Sequence, residues 1–402
     1  MMEQRMKYRY ISVQSPIGGE KGGKRVRTWA VLSMLLLCAM LLVASTPLTT
    51  ETPSRWLRDV QQYVDETMHR LFDDRAATLP LVPTTNLATR VEEPHPFTAV
   101  LSGTEPLTGV PTVFPTETDR PIVVMVENSF RARPQSGLID ADIVYEALAE
   151  GNITRFVAVF HSASPSVIGP VRSIRPYFVQ LAHGLDGLLV HAGWSQDAMI
   201  AIERLGVDHL DQVYGDHKYY WRDRSRRAPH NLYTGIDRVR EAFSDQKMRT
   251  AWNVRALDFA LDQVVYPEGV PTHDVVIPYL GGYRAGYTYD KLLGVYVRTM
   301  NGAVHKDKTS DRALTANNVL IVEARHRILD KVGRRDVDIQ SGGRAVLLQS
   351  GRRQDVWWKW TGGIIRPYVA LEAPDAIPLI PGTTWIQIVE QLDRVAFSET
   401  TP

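Results

Sequence analysis

The sequence predicts an α/β domain over residues 120–273 and a smaller antiparallel β-rich domain over 274–396, preceded by one transmembrane helix and a Pro/Thr-rich stalk. Three observations carry this expectation. Short apolar runs alternate with segments of helical spacing between Ile122 and Met248, the pattern of layered α/β folds. From Asp274 onward, brief β-type runs are separated by Gly, Asn and Asp. Near the start, Thr28 to Ala44 carries no charge and approaches the roughly 20 residues that span a bilayer.

The 402 residues suffice for two cores and a tail. A formal net charge of +1 offers no field for bulk polyanion binding, so no nucleic-acid partner is expected and any electrostatic selectivity is local. Cys38 is the only cysteine and sits inside the apolar run, which leaves the folded part without disulfides or thiolate metal clusters.

Residues 1–27 form a basic tail, with Arg5, Lys7, Arg9, Lys21, Lys24, Arg25 and Arg27 against Glu3 and Glu20. The positive-inside rule places this tail in the cytoplasm, makes 28–45 a single-pass signal anchor and puts the folded domains outside the cell membrane. Val43 and Ser45 also fit a signal-peptidase site; an uncleaved anchor is the preferred reading. The stalk, 46–119, contains one amphipathic helix: Trp56, Val60, Tyr63, Val64, Met68 and Leu71 recur at threes and fours behind Ser54. Pro94, Pro96, Pro106, Pro111 and Pro115 then keep the chain extended.

Ile122–Val126, Phe156–Phe160 and Gly187–Ala192 read as buried strands, and Ala141–Leu148 as a strand or a short helix. Pro176–His183, Gln196–Leu205 and Ile236–Met248 read as helices. In the second domain the strands are Val275–Leu280, Tyr287–Tyr289, Gly294–Arg298, Asn318–Ala324, Ala345–Ser350, Val356–Trp360 and Thr384–Val389. Asn301-Gly302 and Gly342-Gly343 signal hairpins. The many aromatics here suit a β core.

Chemistry concentrates in two stretches. Arg155, Arg172 and Arg175 stand among turns shaped by Gly169, Pro170 and Pro176, and guanidinium forks bind carboxylate or phosphate at any relevant pH. The loop after Trp221 adds Arg224, Arg227, His230 and Asn231, and His191 follows a strand where α/β sheets favour ligands. His230, Asp142 and Asp223 are candidate acid–base groups. Asp140, Asp142 and Glu146 could hold a hard cation such as Mg²⁺, although their spacing does not demand it. The competing reading makes these charges internal ion pairs. No Walker loop, GxGxxG, HExxH or EF-hand pattern is present, and no cofactor is evident.

Several motifs occur in the order found in the YerB-like family of bacterial proteins, described as lipoproteins and built on a two-part domain of unknown function. They are Arg133-Pro134-Gln135-Ser136-Gly137-Leu138, Ala141-Asp142-Ile143-Val144-Tyr145-Glu146, and Glu150-Gly151-Asn152-Ile153-Thr154-Arg155-Phe156. Gly169-Pro170-Val171-Arg172-Ser173, His191-Ala192-Gly193 and Ala228-Pro229-His230-Asn231-Leu232-Tyr233 follow. The chain resembles this family from about Arg120 to Val389, which implies an extracytoplasmic, membrane-attached protein. It departs where Leu37 precedes Cys38, so no lipobox exists, and where Asn152 and Trp194 replace expected glycines. At fold level, Ala141-Asp142-Ile143-Val144 and the Arg-containing turn also resemble the LytR-type envelope phosphotransferases.

The expectation is therefore a membrane-anchored envelope protein that binds an anionic glycopolymer or lipid-phosphate through its arginines. The alternatives are an Arg/Mg-dependent phosphotransferase or hydrolase acting on lipid-linked precursors, and a non-catalytic scaffold that docks a protein partner on the β-rich domain.

Overall fold

The computed structural model describes residues 103–112, 119–252, 257–260, 269–331 and 333–399. The basic tail, the Thr28–Ala44 span and the helix expected over Ser54–Asp74 lie outside the described residues. Among the described residues no helix is long and apolar enough to cross a membrane.

The first half supplies β1 (Ile122–Glu127), β2 (Ile143–Glu150), β3 (Ile153–Phe160), α1 (Pro176–Gly184), β4 (Leu188–His191), α2 (Gln196–Leu205), β5 (His209–Asp211) and α3 (Ile236–Asp245). Ala141–Leu148, ambiguous in sequence, resolves as strand because its alternate side chains are buried on both faces. The second half supplies β6 (Asp274–Pro278), β7 (Arg284–Asp290), β8 (Val295–Met300), β9 (Asn318–Glu323), β10 (Gly343–Gln349), β11 (Arg352–Thr361), β12 (Ile364–Tyr368), β13 (Thr384–Val389) and β14 (Ala396–Ser398).

The two halves share one sheet. Its strands run β11, β10, β9, β13, β2, β3, β1, β4, β5 in an eleven-stranded array completed by β12 and Val270–Pro271. β13 lies between β9 and β2, parallel to both, with Trp385 opposite Val144 and Val319. Every residue of β13 is buried, as expected of a strand covered on both faces. A second sheet, six-stranded and antiparallel, is built around β6, β7, β8 and β14. The β-rich segment is thus distinct in character, as its composition suggests, yet its largest strands extend the sheet of the α/β segment.

Period-two alternation along β1 divides the core. Val123 and Met125 face α1 and α2 through Tyr177, Phe178, Leu181, Ala198 and Ile202. Ile122, Val124 and Val126 share the other face with Val239 and Phe243 of α3 and with Val275, Tyr287 and Tyr296 of the smaller sheet. The result is three layers with the large sheet in the middle.

Two expectations change. The chain at 103–112, assigned to an extended stalk, forms a hairpin with Gly103 paired to Thr112; it docks by burying Leu107 and by accepting a backbone hydrogen bond, Gly382 N–H donating to Thr108 O at 2.7 Å. Asn301-Gly302 does turn a hairpin, from β8 into Ala303–Val304, with positive φ at both residues. Gly342-Gly343 instead starts β10, while Ser350-Gly351 and Gly362-Gly363 turn the β10–β11 and β11–β12 hairpins.

Candidate functional site

The carboxyl end of β1 is where a buried strand runs out into loops, and its last residue is Glu127. The strap 168–174 crosses this end. Val126 bridges Val171, and the Arg172 N–H bonds Met125 O at 2.9 Å. Val171 N–H in turn bonds Leu232 O at 2.7 Å, which lays the strap against the chain just beyond His230. Gly169 makes the crossing possible: its φ is +150°, and a Cβ there would come within 2.7 Å of Leu232 O. The 222–231 loop is fixed from its other side, where Arg226 donates to Ala132 O and Pro134 O.

These elements bring four side chains together. Glu127 Oε1 accepts from Ser129 Oγ at 2.7 Å and from His230 Nδ1 at 2.9 Å. Arg172 Nε stands 3.7 Å from the same oxygen. The Glu127 side chain is only 3% exposed, and its Oε2 has no hydrogen-bond partner among the described residues. His230 and Arg172 are more open, at 18% and 29%. Neither His230 Nε2 nor the terminal Arg172 nitrogens have a protein partner among the described residues. A buried carboxylate with one oxygen unsatisfied is costly, and here it lies under a basic group, an imidazole and a hydroxyl.

The other predicted residues are dispersed. Arg155 and Arg175 are buried and committed to Glu150, Arg155 at 2.8 Å. Arg155 also donates to Ser173 O at 2.8 Å and Arg175 to Ile174 O at 2.7 Å. Burial and the neighbouring Arg175 push the Arg155 guanidinium down to about 10. Despite partial burial, Arg155 and Arg175 hold the Glu150 carboxyl below its ordinary range. Both guanidinium groups are thus engaged in ion pairs with Glu150. Arg224 and Arg227 lie exposed on the loop that carries His230.

His191 is fully buried, with Nε2 3.0 Å from His209 Nδ1; burial, reinforced by His209, pushes its imidazole down to about 3. At neutral pH the ring is therefore uncharged. Asn231 stitches its loop, accepting from Arg222 at 2.9 Å and donating to Asp223 O and Arg226 O. Asp223 itself binds Lys308 at 2.6 Å and Ser225, and these bonds keep its carboxyl well below the usual range. That makes it a poor base.

The metal candidates face three different sets of partners. Asp142, at the opposite end of the sheet from Glu127, accepts from the N–H groups of His161 and Ser162 and from the Ser162 hydroxyl. Asp140 is exposed as a residue, and partial desolvation of its carboxyl together with the Asp307 charge raises it above the ordinary aspartate range. Glu146 pairs with Arg298 at 2.6 Å, both side chains fully buried. Thr154 and Asn128 donate to its other oxygen, and Arg298 donates to Tyr287 and Tyr283. Among the described residues no three His, Cys, Asp or Glu side chains are grouped to hold a metal.

Glu127 and Ser129 escaped the sequence reading. The available signal was a charged residue ending an uninterrupted apolar strand, the place where α/β sheets present ligand-binding groups. The two glycine departures are accommodated locally: Asn152 follows Gly151, which alone of the pair has positive φ, and Trp194 stacks on Tyr214 at 4.9 Å. A separate cleft of about 480 Å³ opens at the other end of β1, between Ile122, Phe160, Phe243 and Arg240.

Two family models match the chain: the N-terminal domain of a protein of unknown function (DUF3048) over residues 107–249, and the C-terminal domain of the same family over 275–386. The chain is 38% identical over 297 residues to "Putative lipoprotein YerB" of Bacillus subtilis (strain 168), covering 73% of this chain and 88% of the relative. A crystal structure of the YerB protein from Bacillus subtilis superposes with a TM-score of 0.67 at 37% identity, covering 73% of this chain and 99% of that one.

Proposed function

The chain belongs to the DUF3048 family, and from that premise we propose that it is an extracytoplasmic, membrane-attached envelope protein that binds a phosphate-bearing ligand at the carboxyl end of β1. The lipoprotein description of its Bacillus relative supports attachment to a membrane. In this chain the uncharged Thr28–Ala44 segment behind a basic tail supplies the means.

The observation that carries the ligand reading is Arg172. Its Nε stands 3.7 Å from the Glu127 oxygen that His230 Nδ1 also meets, and its side chain is 29% exposed. A guanidinium whose charge is already drawn toward a nearby carboxylate loses less freedom when a ligand arrives, which reduces the ordering cost of binding. Arg224 and Arg227 on the adjoining loop add positive charge in solvent. The site of the proposal is therefore one oriented arginine with flanking charge, narrower than the arginine cluster suggested by the sequence.

Calorimetric titration of the folded chain with dodecyl phosphate and glycerol phosphate tests this. Saturable binding that weakens about ten-fold or more in Arg172→Gln, as expected for a charge-assisted pair of about 1.5–3 kcal/mol, supports it. Equal affinity in the folded variant removes it.

A further inference from the structure

We propose that His230 is a general base that activates water against a phosphodiester held by Arg172, with Glu127 as its positioning residue; this rests on the binding reading above. Four features of the geometry support it. Glu127 Oε1 lies 2.9 Å from His230 Nδ1. A carboxylate can only accept there, so the neutral ring carries its proton on Nδ1 and keeps Nε2 as the basic nitrogen. Nε2 has no protein partner among the described residues, and the side chain is 18% exposed. The ring is held in place, because the His230 N–H bonds Arg227 O at 3.0 Å and Arg226 ties the loop to Ala132 and Pro134.

Ser129 is not the nucleophile. Its hydroxyl donates to Glu127 at 2.7 Å and sits 3.3 Å from Nδ1, on the carboxylate side of the ring. A serine attacking with help from this histidine would have to meet Nε2. No protein hydroxyl meets Nε2 among the described residues and the side chain is 18% exposed, so water is the nucleophile proposed.

The step balances without a further reactant. A water O–H bond breaks and its proton passes to Nε2. The water oxygen forms a bond to phosphorus while the bond from phosphorus to the leaving oxygen breaks. His230 then returns the proton to that oxygen, giving an alcohol and a phosphomonoester. Arg172 offsets charge on the non-bridging oxygens, and Glu127 stabilises the imidazolium that forms in passing.

The test is steady-state hydrolysis of bis(p-nitrophenyl) phosphate by the full chain. Turnover is expected, with kcat lowered about 10²–10⁴-fold in His230→Gln at little change in KM. Glu127→Gln should lower kcat and displace the acid limb of the pH–kcat profile, a limb that His230→Gln abolishes; Arg172→Gln should raise KM. A merely structural Glu127–His230 pair would leave the profile unmoved. Phosphate binding that depends on Arg172 without any turnover overturns the catalytic proposal and leaves the binding reading intact. Loss of neither binding nor turnover in the variants overturns both. If Glu127→Gln fails to fold, the more exposed His230→Gln decides alone, and unchanged kcat there is fatal.

Discussion

Glu150 holds two guanidinium groups that solvent barely reaches, and much of the charge in this part of the chain exists for that purpose. Removing it leaves Arg155 and Arg175 buried without a counter-ion, so Glu150→Gln should destabilise the fold by roughly 3 kcal/mol in urea denaturation. Because its folded carboxyl lies below the ordinary range, its contribution is complete above the unfolded glutamate's titration and is lost as pH falls through the folded one. His305 acts in the same direction: burial and Arg298 hold its imidazole well below the ordinary range. Stability should therefore decline as pH drops below the usual imidazole range, more gently in His305→Gln, as read by thermal melts across pH. The sequence showed which charges were dense but not which were spent. Arg155 and Arg172 look alike in composition and spacing; only the tertiary structure shows that Arg155 and Arg175 bond Glu150 directly, while Arg172, whose charge also lowers that carboxyl, is more exposed.

Among the elements, the strap 168–174 matters most, because it carries Arg172 across the end of β1 to the His230 loop. Gly169 has no room for a methyl group and a φ of +150°. Gly169→Ala should cost about 1–3 kcal/mol in chemical denaturation, and should weaken phosphate binding beyond what partial unfolding explains. Strands and helices were largely legible. Ile122–Glu127 and Thr384–Val389 announce themselves as unbroken apolar runs, and Gln196–Leu205 carries a helical period closed by Gly206 in the left-handed region. Glu127 was hidden by the same rule, since a strand reading stops at the last apolar residue and leaves the functional one outside.

At the scale of the whole molecule, one sheet joins segments that composition separates. Insertion of β13 beside β2 pairs residues more than 200 positions apart, and no local pattern encodes that choice. The Glu146–Arg298 pair lies across the same junction, with Gln387 of β13 donating to Tyr287 at 2.9 Å. Arg298→Met should therefore cost about 3–5 kcal/mol by stranding Glu146, whereas Arg298→Met with Glu146→Leu should recover much of the loss. Residues 270–402 expressed alone should show no cooperative urea transition, since β13 would lose its partner β2 and Arg298 its counter-ion; a sharp transition there would mean that the shared sheet is not needed for folding.

The central claim is that a phosphate-bearing ligand is held at Glu127, Arg172 and His230. The most direct measurement is calorimetric titration of dodecyl phosphate into wild-type, Arg172→Gln and Arg240→Gln chains of verified fold. Saturable binding is expected, weakened about ten-fold or more in Arg172→Gln and retained in Arg240→Gln, whose side chain lines the cleft at the other end of β1. Binding that is unchanged in Arg172→Gln and disappears in Arg240→Gln would contradict the claim and move the site to that cleft.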